Sequence, residues 1–331
     1  MRRTTQMFTA AALAALAATA SAAASSNTTC REVRAAVALA PGEPPHHSVA
    51  GTLCRPPGAD TLQVLLSGAT YGRGYWHMGS SYVSAMTRAG FATLALDRIG
   101  IGASGRPPAE AVSVTSNGFV AHQIARAAHD GLLGAEFERV VAVGHSLGSA
   151  VALVAAARFG DFDGLILSGF LAHAQPVGAP AFAAALEPAR LDPRLADRPA
   201  GYLTTRAGTR GALFYAAAAA DAEVIALDEQ TKETVTVGEL MTLGEASQPS
   251  VDAAIGVPVL SVVGEFDNVF CATSCLEPGS AAFAEAARYP NAPSFETFVL
   301  PRAGHAINLH RGARAWFAAA RVWLDREVGE R

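Results

Sequence analysis

Charged residues are scarce in this chain of 331 residues, where Asp, Glu, Lys and Arg together account for 16%. The formal net charge is only −4 at pH 7, and no cluster of basic residues stands out. A nucleic-acid-binding surface needs concentrated positive charge, so we expect no nucleic-acid partner. Half of the residues are hydrophobic, and a chain of this length can bury a substantial core.

Long apolar runs are also lacking after residue 24, since no later segment reaches the roughly 20 apolar residues that a membrane-spanning helix needs. Before that point, Arg2 and Arg3 precede an Ala-rich apolar run, and small residues follow through Ala24. This order is typical of a signal peptide. A membrane anchor is the alternative, but the run is short for one. We predict a cleaved signal peptide over 1–24, a mature domain over 25–331, secretion to the extracellular space and no stable membrane insertion.

Cysteine occurs only four times, at Cys30, Cys54, Cys271 and Cys275. An even count in an exported chain favours two disulfides. Of the three connectivities, Cys30–Cys54 with Cys271–Cys275 is the simplest, because each pair is close in sequence. Zinc is the alternative, but the Cys-x3-Cys spacing has no partner pair at zinc-finger distance. The sequence therefore predicts two structural disulfides and no metal site.

Apolar β-rich runs alternate with longer Ala-rich segments along the chain. The predicted strands are Val33–Leu39, Ser48–Cys54, Leu62–Ser67, Phe91–Leu96, Arg139–Val143, Gly164–Ser168, Val257–Val263 and Ser294–Leu300. The predicted helices are Tyr75–Ala89, Ser116–Leu133, Leu147–Arg158, Ser280–Ala287 and Gly312–Glu327. The first two strands are expected to form a hairpin. The alternation that follows predicts βαβ crossovers and a mostly parallel sheet.

The alternation is interrupted once, between Phe170 and Gly256. This segment contains several prolines and the run Ala216–Ala220, and it offers no convincing strand of the sheet. An interruption of this length inside a compact domain is usually functional. We predict a helical lid over about residues 170–256, and a structural cover for one edge of the sheet is the alternative.

The pentapeptide Gly-His-Ser-Leu-Gly at residues 144–148 lies where a predicted strand becomes a predicted helix. A nucleophilic serine in this position needs a strained turn that raises its Oγ above the sheet. Flanking glycines allow the strand and helix backbones to approach closely, and the helix N-terminus favours developing negative charge. The alternative is a tight turn whose serine only caps the helix. The strand–turn–helix context favours Ser146 as a nucleophile.

A serine hydroxyl needs a base, and the base needs an orienting carboxylate. His305 lies on the loop between the last predicted strand and the C-terminal helix, whereas its competitor, His310, lies at the opening of that helix. Asp267 lies just beyond the carboxyl end of the preceding strand, and Glu265 is the alternative two residues nearer to it. The predicted catalytic triad is Ser146, Asp267 and His305 in chain order.

Four segments, "GHSLG", "VVGEFD", "AGHAINLH" and "LALDRIGIGASGRP", together with the order of the triad, resemble the α/β-hydrolase fold family. The resemblance extends over nearly all of the mature chain. It implies an α/β fold with an eight-stranded, mostly parallel sheet, helices on both faces, an antiparallel second strand and a lid after the sixth strand. It also implies a secreted serine esterase or lipase-like member that uses no metal or organic cofactor.

The turn after the third strand departs from the family pattern. Many members have His-Gly there, whereas this chain has Ser67 before Gly68. Because oxyanion-hole donors are backbone N–H groups, the hole tolerates this change. The alignment assigns the two donors to Leu147 and to either Ala69 or Thr70.

Aromatic residues follow that turn. We assign Tyr71, Tyr75 and Trp76 to the substrate-binding pocket, and packing for the next helix is an equal alternative. His145 is the sequence neighbour of the serine and is predicted to point away from it. It is therefore assigned to the pocket and not to the role of base.

These observations predict a carboxylic ester hydrolase that cleaves an ester or lactone of a moderately hydrophobic small molecule through an acyl-enzyme. The triad does not encode the leaving group, so amide, thioester and carbon–carbon bond hydrolysis stay open. Two alternatives from other classes are a cofactor-free perhydrolase or haloperoxidase-like activity and a noncatalytic binding role.

Overall fold

The computed structural model describes residues 27–174 and 176–329, so the predicted signal peptide lies outside the described residues. The strands are β1 (Thr29–Val37), β2 (His47–Arg55), β3 (Thr61–Leu66), β4 (Ala92–Asp97), β5 (Arg139–His145), β6 (Gly164–Ser168), β7 (Leu186–Pro188), β8 (Tyr202–Thr205), β9 (Val235–Thr236), β10 (Val259–Gly264) and β11 (Phe295–Leu300). The α-helices are α1 (Tyr82–Arg88), α2 (Val114–His129), α3 (Leu147–Phe159), α4 (Ala179–Ala185), α5 (Arg210–Phe214), α6 (Ala222–Gln230), α7 (Val237–Thr242), α8 (Pro249–Ala253), α9 (Ala281–Ala284) and α10 (Ala313–Glu327). Short 3-10 turns span Arg73–Trp76, Ala189–Leu191, Pro193–Leu195, Ala217–Ala219, Leu243–Ser247, Glu285–Arg288 and Ile307–Leu309.

Eight of these strands form one sheet in the order β1-β2-β4-β3-β5-β6-β10-β11. Strand β2 runs antiparallel to both of its neighbours, β1 and β4. All other pairs in the sheet are parallel. The predicted eight-stranded, mostly parallel sheet with an antiparallel second strand is therefore confirmed.

Helices cover both faces of this sheet. Successive side chains of a strand point to opposite faces, and in β3 the side chains of Val64 and Leu65 enter two different apolar clusters. The Val64 cluster includes the buried faces of α2 and α3, and the Leu65 cluster includes those of α1 and α10. The chain is thus layered as helices, sheet and helices.

The helix predicted at Tyr75–Ala89 is shorter in the structure. A 3-10 turn at Arg73–Trp76 comes first, and α1 begins only at Tyr82. The backbone between them turns at Gly79, whose φ is +59°. Ser81 then caps α1, because its side chain accepts the N–H of Ser84. The turn residues between Trp76 and Tyr82 thus divide what the apolar pattern suggested was a single helix.

Both predicted disulfides are present. Cys30 bonds to Cys54, and Cys271 bonds to Cys275. The first pair joins direct partners in the antiparallel β1–β2 ladder. The second closes a short loop immediately after β10.

Residues 170–256, here called the insertion, lie between β6 and β10 and contain α4 to α8. The segment contains helices, as predicted, and adds no strand to the main sheet, but it also carries strands that the sequence did not indicate: β7, β8 and β9 form a second, three-stranded antiparallel sheet within it. These strands are two to four residues long. Such short strands carry too few residues for an alternating pattern to appear in the sequence. A role for the insertion as a lid stays a prediction.

Within the described ranges, no helix combines the length and apolar character that crossing a bilayer requires.

Candidate active site

Ser146 lies between the end of β5 and the start of α3, in a backbone conformation with φ +52° and ψ −119°. A non-glycine residue at positive φ is strained. The turn is fixed by the Ser146 N–H, which donates to the carbonyl of Ser168 at 2.8 Å. Glycines are required on both sides: a Cβ on Gly144 would lie 2.3 Å from the backbone of α3, and one on Gly148 would lie 2.0 Å from the carbonyl oxygen of Leu66. The local sequence therefore builds the strained turn that the pentapeptide predicts.

The three residues predicted to form the triad come together across three loops. Ser146 Oγ lies 2.9 Å from His305 Nε2, and His305 Nδ1 lies 3.0 and 2.9 Å from the two carboxylate oxygens of Asp267. Asp267 is fully buried, and its Oδ1 also accepts the N–H of Val269 at 2.9 Å. With the carboxylate at Nδ1, the imidazole proton is held there and the Nε2 lone pair is left for the serine hydroxyl.

Glu265 and His310, the alternatives for the acid and the base, bond to other groups than the triad. Glu265 accepts the N–H of Arg302 at 2.7 Å. His310 Nε2 accepts the N–H groups of Ala216 and Gly304 at 3.1 and 3.0 Å, and its Nδ1 lies 3.0 Å from the carbonyl of Ala306. Burial lowers the pKa of His310. This neutral imidazole therefore braces the loop that carries His305.

The turn Ser67–Tyr71, here called the oxyanion turn, follows β3 beside the serine. The N–H of Thr70 donates to the carbonyl of Thr234 at 3.2 Å, which removes Thr70 from the two predicted alternatives for an oxyanion donor. Among residues 27–174 and 176–329, neither the Ala69 nor the Leu147 amide has a hydrogen-bond acceptor. Both residues line the same cavity as Ser146. Of the predicted donors, Ala69 and Leu147 are therefore the two whose amides are unpaired among the described residues and whose residues line the cavity with Ser146.

A cavity of about 700 Å³ opens onto Ser146 and His305. Most of its lining comes from the insertion and is apolar, with Phe170, Phe182 and Phe214 contributing aromatic surface. Sequence reasoning did not identify these side chains. The only signal for them was the apolar, Ala-rich composition of the insertion, which does not say which residues face the serine.

Of the four residues assigned to substrate binding, Tyr71 alone lies in the lining of this cavity. Tyr75, Trp76 and His145 are fully buried outside its lining, which corrects their assignment to substrate binding. The 3-10 turn directs Tyr75 and Trp76 into the core, where the ring of Tyr75 stacks on His145 with centroids 4.4 Å apart. Burial lowers the pKa of His145 well below its ordinary value. These three residues pack behind the site.

In the part of the chain that the structure describes, no three His, Cys, Asp or Glu side chains form a group that could hold a metal ion.

A sequence model described as "Alpha/beta hydrolase family" matches residues 63–320. Among solved structures, the chain is similar to a thermophilic esterase from Thermogutta terrifontis, with 20% identity, 89% of this chain and 98% of that chain covered, and a TM-score of 0.61. It is also similar to a carboxyl esterase from Bacillus coagulans in complex with glycerol (14% identity, 90% and 99% covered, TM-score 0.65). A third similar structure is a soluble variant of monoglyceride lipase from Saccharomyces cerevisiae (14% identity, 88% and 96% covered, TM-score 0.63). At these identities the likeness establishes the fold. None of the curated proteins that were compared with the sequence matches it.

Proposed function

The chain belongs to the alpha/beta hydrolase family, and from that premise we propose that it is a secreted serine hydrolase of moderately hydrophobic carboxylic esters or lactones. One observation carries the proposal. Ser146, His305 and Asp267 are joined by hydrogen bonds, and Ser146 lines a largely apolar cavity. The fold is shared with esterases and lipases, which agrees with an ester as the scissile bond.

The proposed reaction assigns one role to each of these groups. Ser146 Oγ attacks the acyl carbon while His305 Nε2 takes its proton, and Asp267 stabilises the imidazolium that forms. The N–H groups of Ala69 and Leu147 bind the oxyanion of the tetrahedral intermediate. His305 then gives the proton to the leaving alcohol. A water molecule, deprotonated by the same imidazole, releases the acid from the acyl-enzyme.

The lining of the cavity supports the substrate class. Its wall is mainly apolar, with Phe182, Phe214 and Leu240 from the insertion facing the same space as the serine. A hydrophobic acyl group or alcohol gains by leaving water in such a pocket. Export is supported by the N-terminal sequence pattern and by the two disulfides, which are stable in an oxidising environment.

A panel of p-nitrophenyl esters, from acetate to laurate, and of simple lactones tests the activity of the purified protein. We expect turnover without added metal, and covalent labelling by an alkyl phosphonate that peptide mass spectrometry places on Ser146. Ser146→Ala should lower kcat by about 10⁶ and abolish labelling, because the remaining rate comes only from binding and the oxyanion hole. An inert panel together with an unlabelled serine would contradict the proposal.

A further inference from the structure

Six of the ten backbone N–H and C=O groups of the oxyanion turn have hydrogen-bond partners. Arg98 donates from Nε to the carbonyl of Ser67 at 2.8 Å and from Nη2 to that of Gly68 at 3.1 Å. The carbonyl of Thr70 accepts the N–H of Glu233 at 2.9 Å, and that of Tyr71 accepts the hydroxyl of Ser67 at 2.7 Å. The N–H groups of Thr70 and Tyr71 are also bonded. Ala69 lines the cavity beside Ser146, and its amide has no acceptor among the described residues, so it is free for an oxyanion.

Arg210, from helix α5 of the insertion, reaches this turn from within the protein. Its side chain has no solvent exposure. Nη1 donates to the hydroxyl of Thr70 at 2.9 Å, and Nη2 donates to Asp228 Oδ1 at 2.8 Å. The guanidinium carbon lies 4.2 Å from the centroid of the Tyr71 ring, which is cation–π geometry. Arg210 therefore contacts the side chains of both residues that follow Ala69, namely the hydroxyl of Thr70 and the ring of Tyr71.

Asp228 completes the arrangement from helix α6. Its Oδ2 accepts the hydroxyls of Tyr71 and Tyr215 at 3.2 and 2.8 Å. Burial raises the pKa of both phenols well above the ordinary value, so both remain protonated donors. The carboxylate is thus bonded on both oxygens, and both side chains of the charge pair are fully buried.

A buried ion pair is weak evidence for stability, because desolvation offsets much of its attraction. The pair does fix the orientation of the groups that it contacts, and one of these groups is the side chain of Thr70, whose backbone is strained. Thr70 has φ +62°, a left-handed conformation that is strained for a residue other than glycine. Contacts that restrain Thr70 therefore restrain the orientation of the neighbouring Ala69 peptide.

A second buried pair repeats this arrangement on the other side of the turn. Arg98, which holds the carbonyls of Ser67 and Gly68, is paired with Glu239 of helix α7. Both side chains are almost completely buried. Both arginines that contact the turn, Arg98 and Arg210, are therefore paired with a carboxylate of the insertion.

We propose that Arg210 and Asp228 are positioning residues that set the oxyanion turn, so that docking of the insertion and assembly of the oxyanion hole are one event. The inference rests on the proposed function, since it assigns the Ala69 amide to transition-state binding. It adds a second role for the insertion, beyond covering the cavity. The pair acts through the turn and does not touch the reacting atoms.

Steady-state kinetics on a p-nitrophenyl ester test the role in catalysis. We expect Arg210→Met to lower kcat by about 10², the effect of a shift near 1 Å in a catalytic group, while KM changes little. Arg210→Lys should restore kcat only in part, because a single ammonium group cannot bond Thr70 and Asp228 with the geometry of the two guanidinium nitrogens. Tyr202→Phe is the matched control, since it removes another buried contact between the insertion and the body, to the carbonyl of Pro107, and it should leave kcat unchanged.

Amide hydrogen exchange of the segment 67–72 tests the positioning without using activity. Exchange there should be faster in Arg210→Met than in the wild type or in Tyr202→Phe, while the exchange of β5 is unchanged. If Arg210→Met does not fold, Tyr215→Phe keeps the charges and removes one donor to Asp228; it should accelerate the same segment and lower kcat several-fold.

Unchanged exchange of residues 67–72 in a folded variant would overturn the proposal, as would full kcat in Arg210→Met. A wild-type protein that turns over no ester would overturn the proposed function alone, because the exchange measurement still decides whether the pair sets the turn.

Discussion

The body of the molecule, residues 27–168 and 257–329, and the insertion are held by different kinds of contact. The central strands of the body are buried and mainly apolar, as in the run Val140–Val143 of β5. The insertion buries an unusual set of polar and charged side chains. They are Thr204, Thr205, Arg210, Asp228, Lys232, Thr234, Thr236, Glu239 and Asp252. Apolar burial is nondirectional and scales with area, whereas hydrogen bonds and ion pairs fix orientation.

This difference separates two tasks. The residues proposed to make and break bonds lie on loops of the body, at the ends of β5 and β10 and after β11. The insertion supplies the shape of the cavity and the contacts that orient the oxyanion turn. If this division is correct, changes in the body should act on kcat through chemistry, and changes in the insertion should act on substrate binding or on orientation.

The strongest test of the body is Asp267→Asn. An amide at this position favours the wrong imidazole tautomer, so kcat should fall by about 10⁴ while the fold is kept. Glu265→Gln is the matched control, because the Glu265 side chain accepts only the Arg302 amide among the described residues, and this change should leave kcat near normal. A near-normal Asp267→Asn with an inactive Glu265→Gln would transfer the role of the acid to Glu265. Rate measurements on one ester at saturating concentration suffice.

A smaller effect is expected from removing the disulfide after Asp267. Cys271 donates its N–H to the carbonyl of Asp267 at 2.7 Å, so the double change Cys271→Ser with Cys275→Ser loosens the acid's loop. A catalytic group displaced by about 1 Å can lose 10² in rate. The closed loop is short and contributes only about 2 kcal/mol of chain entropy, so kcat should fall more conspicuously than the melting temperature.

The opposite pattern is expected for the other disulfide. Cys30 and Cys54 are 24 residues apart, and a loop of that size contributes about 3 kcal/mol. Cys30→Ser with Cys54→Ser should therefore lower the melting temperature and leave kcat intact. Equal kinetic losses in the two double variants would show that the second disulfide has no special relation to the acid.

In the insertion, Phe182→Ala tests the wall of the cavity. The side chain is half-buried and lines the cavity from α4. Its loss should cost about 1 kcal/mol of apolar contact with a long acyl chain, which is roughly a fivefold rise in KM, with kcat unchanged. Phe283→Ala is the control, because Phe283 is exposed on α9 outside the cavity. A fall in kcat at constant KM would contradict the assignment of Phe182 to substrate binding.

The smallest effect on catalysis is expected at the junction of the two regions. Glu285 accepts the N–H groups of Ala172 and His173 at 2.6 and 2.9 Å, and burial raises its pKa to about 7 from an ordinary 4.5. The native carboxyl therefore holds its proton more tightly than the unfolded one. This stabilisation is full below about pH 4.5 and is lost as the pH rises through about 7.

Glu285→Gln should remove this dependence. Between about pH 5 and pH 8, the free energy of unfolding of the wild type should fall by on the order of 2 kcal/mol more than that of the variant. Denaturant titrations across this pH range measure the difference. Parallel curves for the two proteins would show that Glu285 does not titrate in the native state.

The body was predictable because its signals are long and redundant. The run from Val259 to Val263 is apolar except for Ser261, and Gly264, Glu265 and Asp267 follow it, so the strand and a candidate acid could be assigned. The pentapeptide at residues 144–148 specifies a backbone conformation that few sequences satisfy. Resemblance to the α/β-hydrolase family supplied the single eight-stranded sheet with its antiparallel second strand, which no local pattern contains.

The insertion was less predictable for physical reasons. Its strands are too short to show alternation, and the burial of Arg210 or Asp228 cannot be inferred from the residues, since such side chains are normally solvated. The choice between Ala69 and Thr70 depended on a hydrogen bond to Thr234, more than 160 residues away. Partners so distant leave no mark on the local sequence.

The disulfide between β1 and β2 also affects how copies of the protein can interact. Strand β1 is at the edge of the sheet, and a free edge can pair with another chain or exchange places with its equivalent there. Cys30 and Cys54 are register partners, so the bond forbids a one-residue slip that would turn Val33 and Val37 out of the core. While the bond is intact, β1 cannot leave its own sheet. Two molecules therefore cannot aggregate by exchanging their β1 strands.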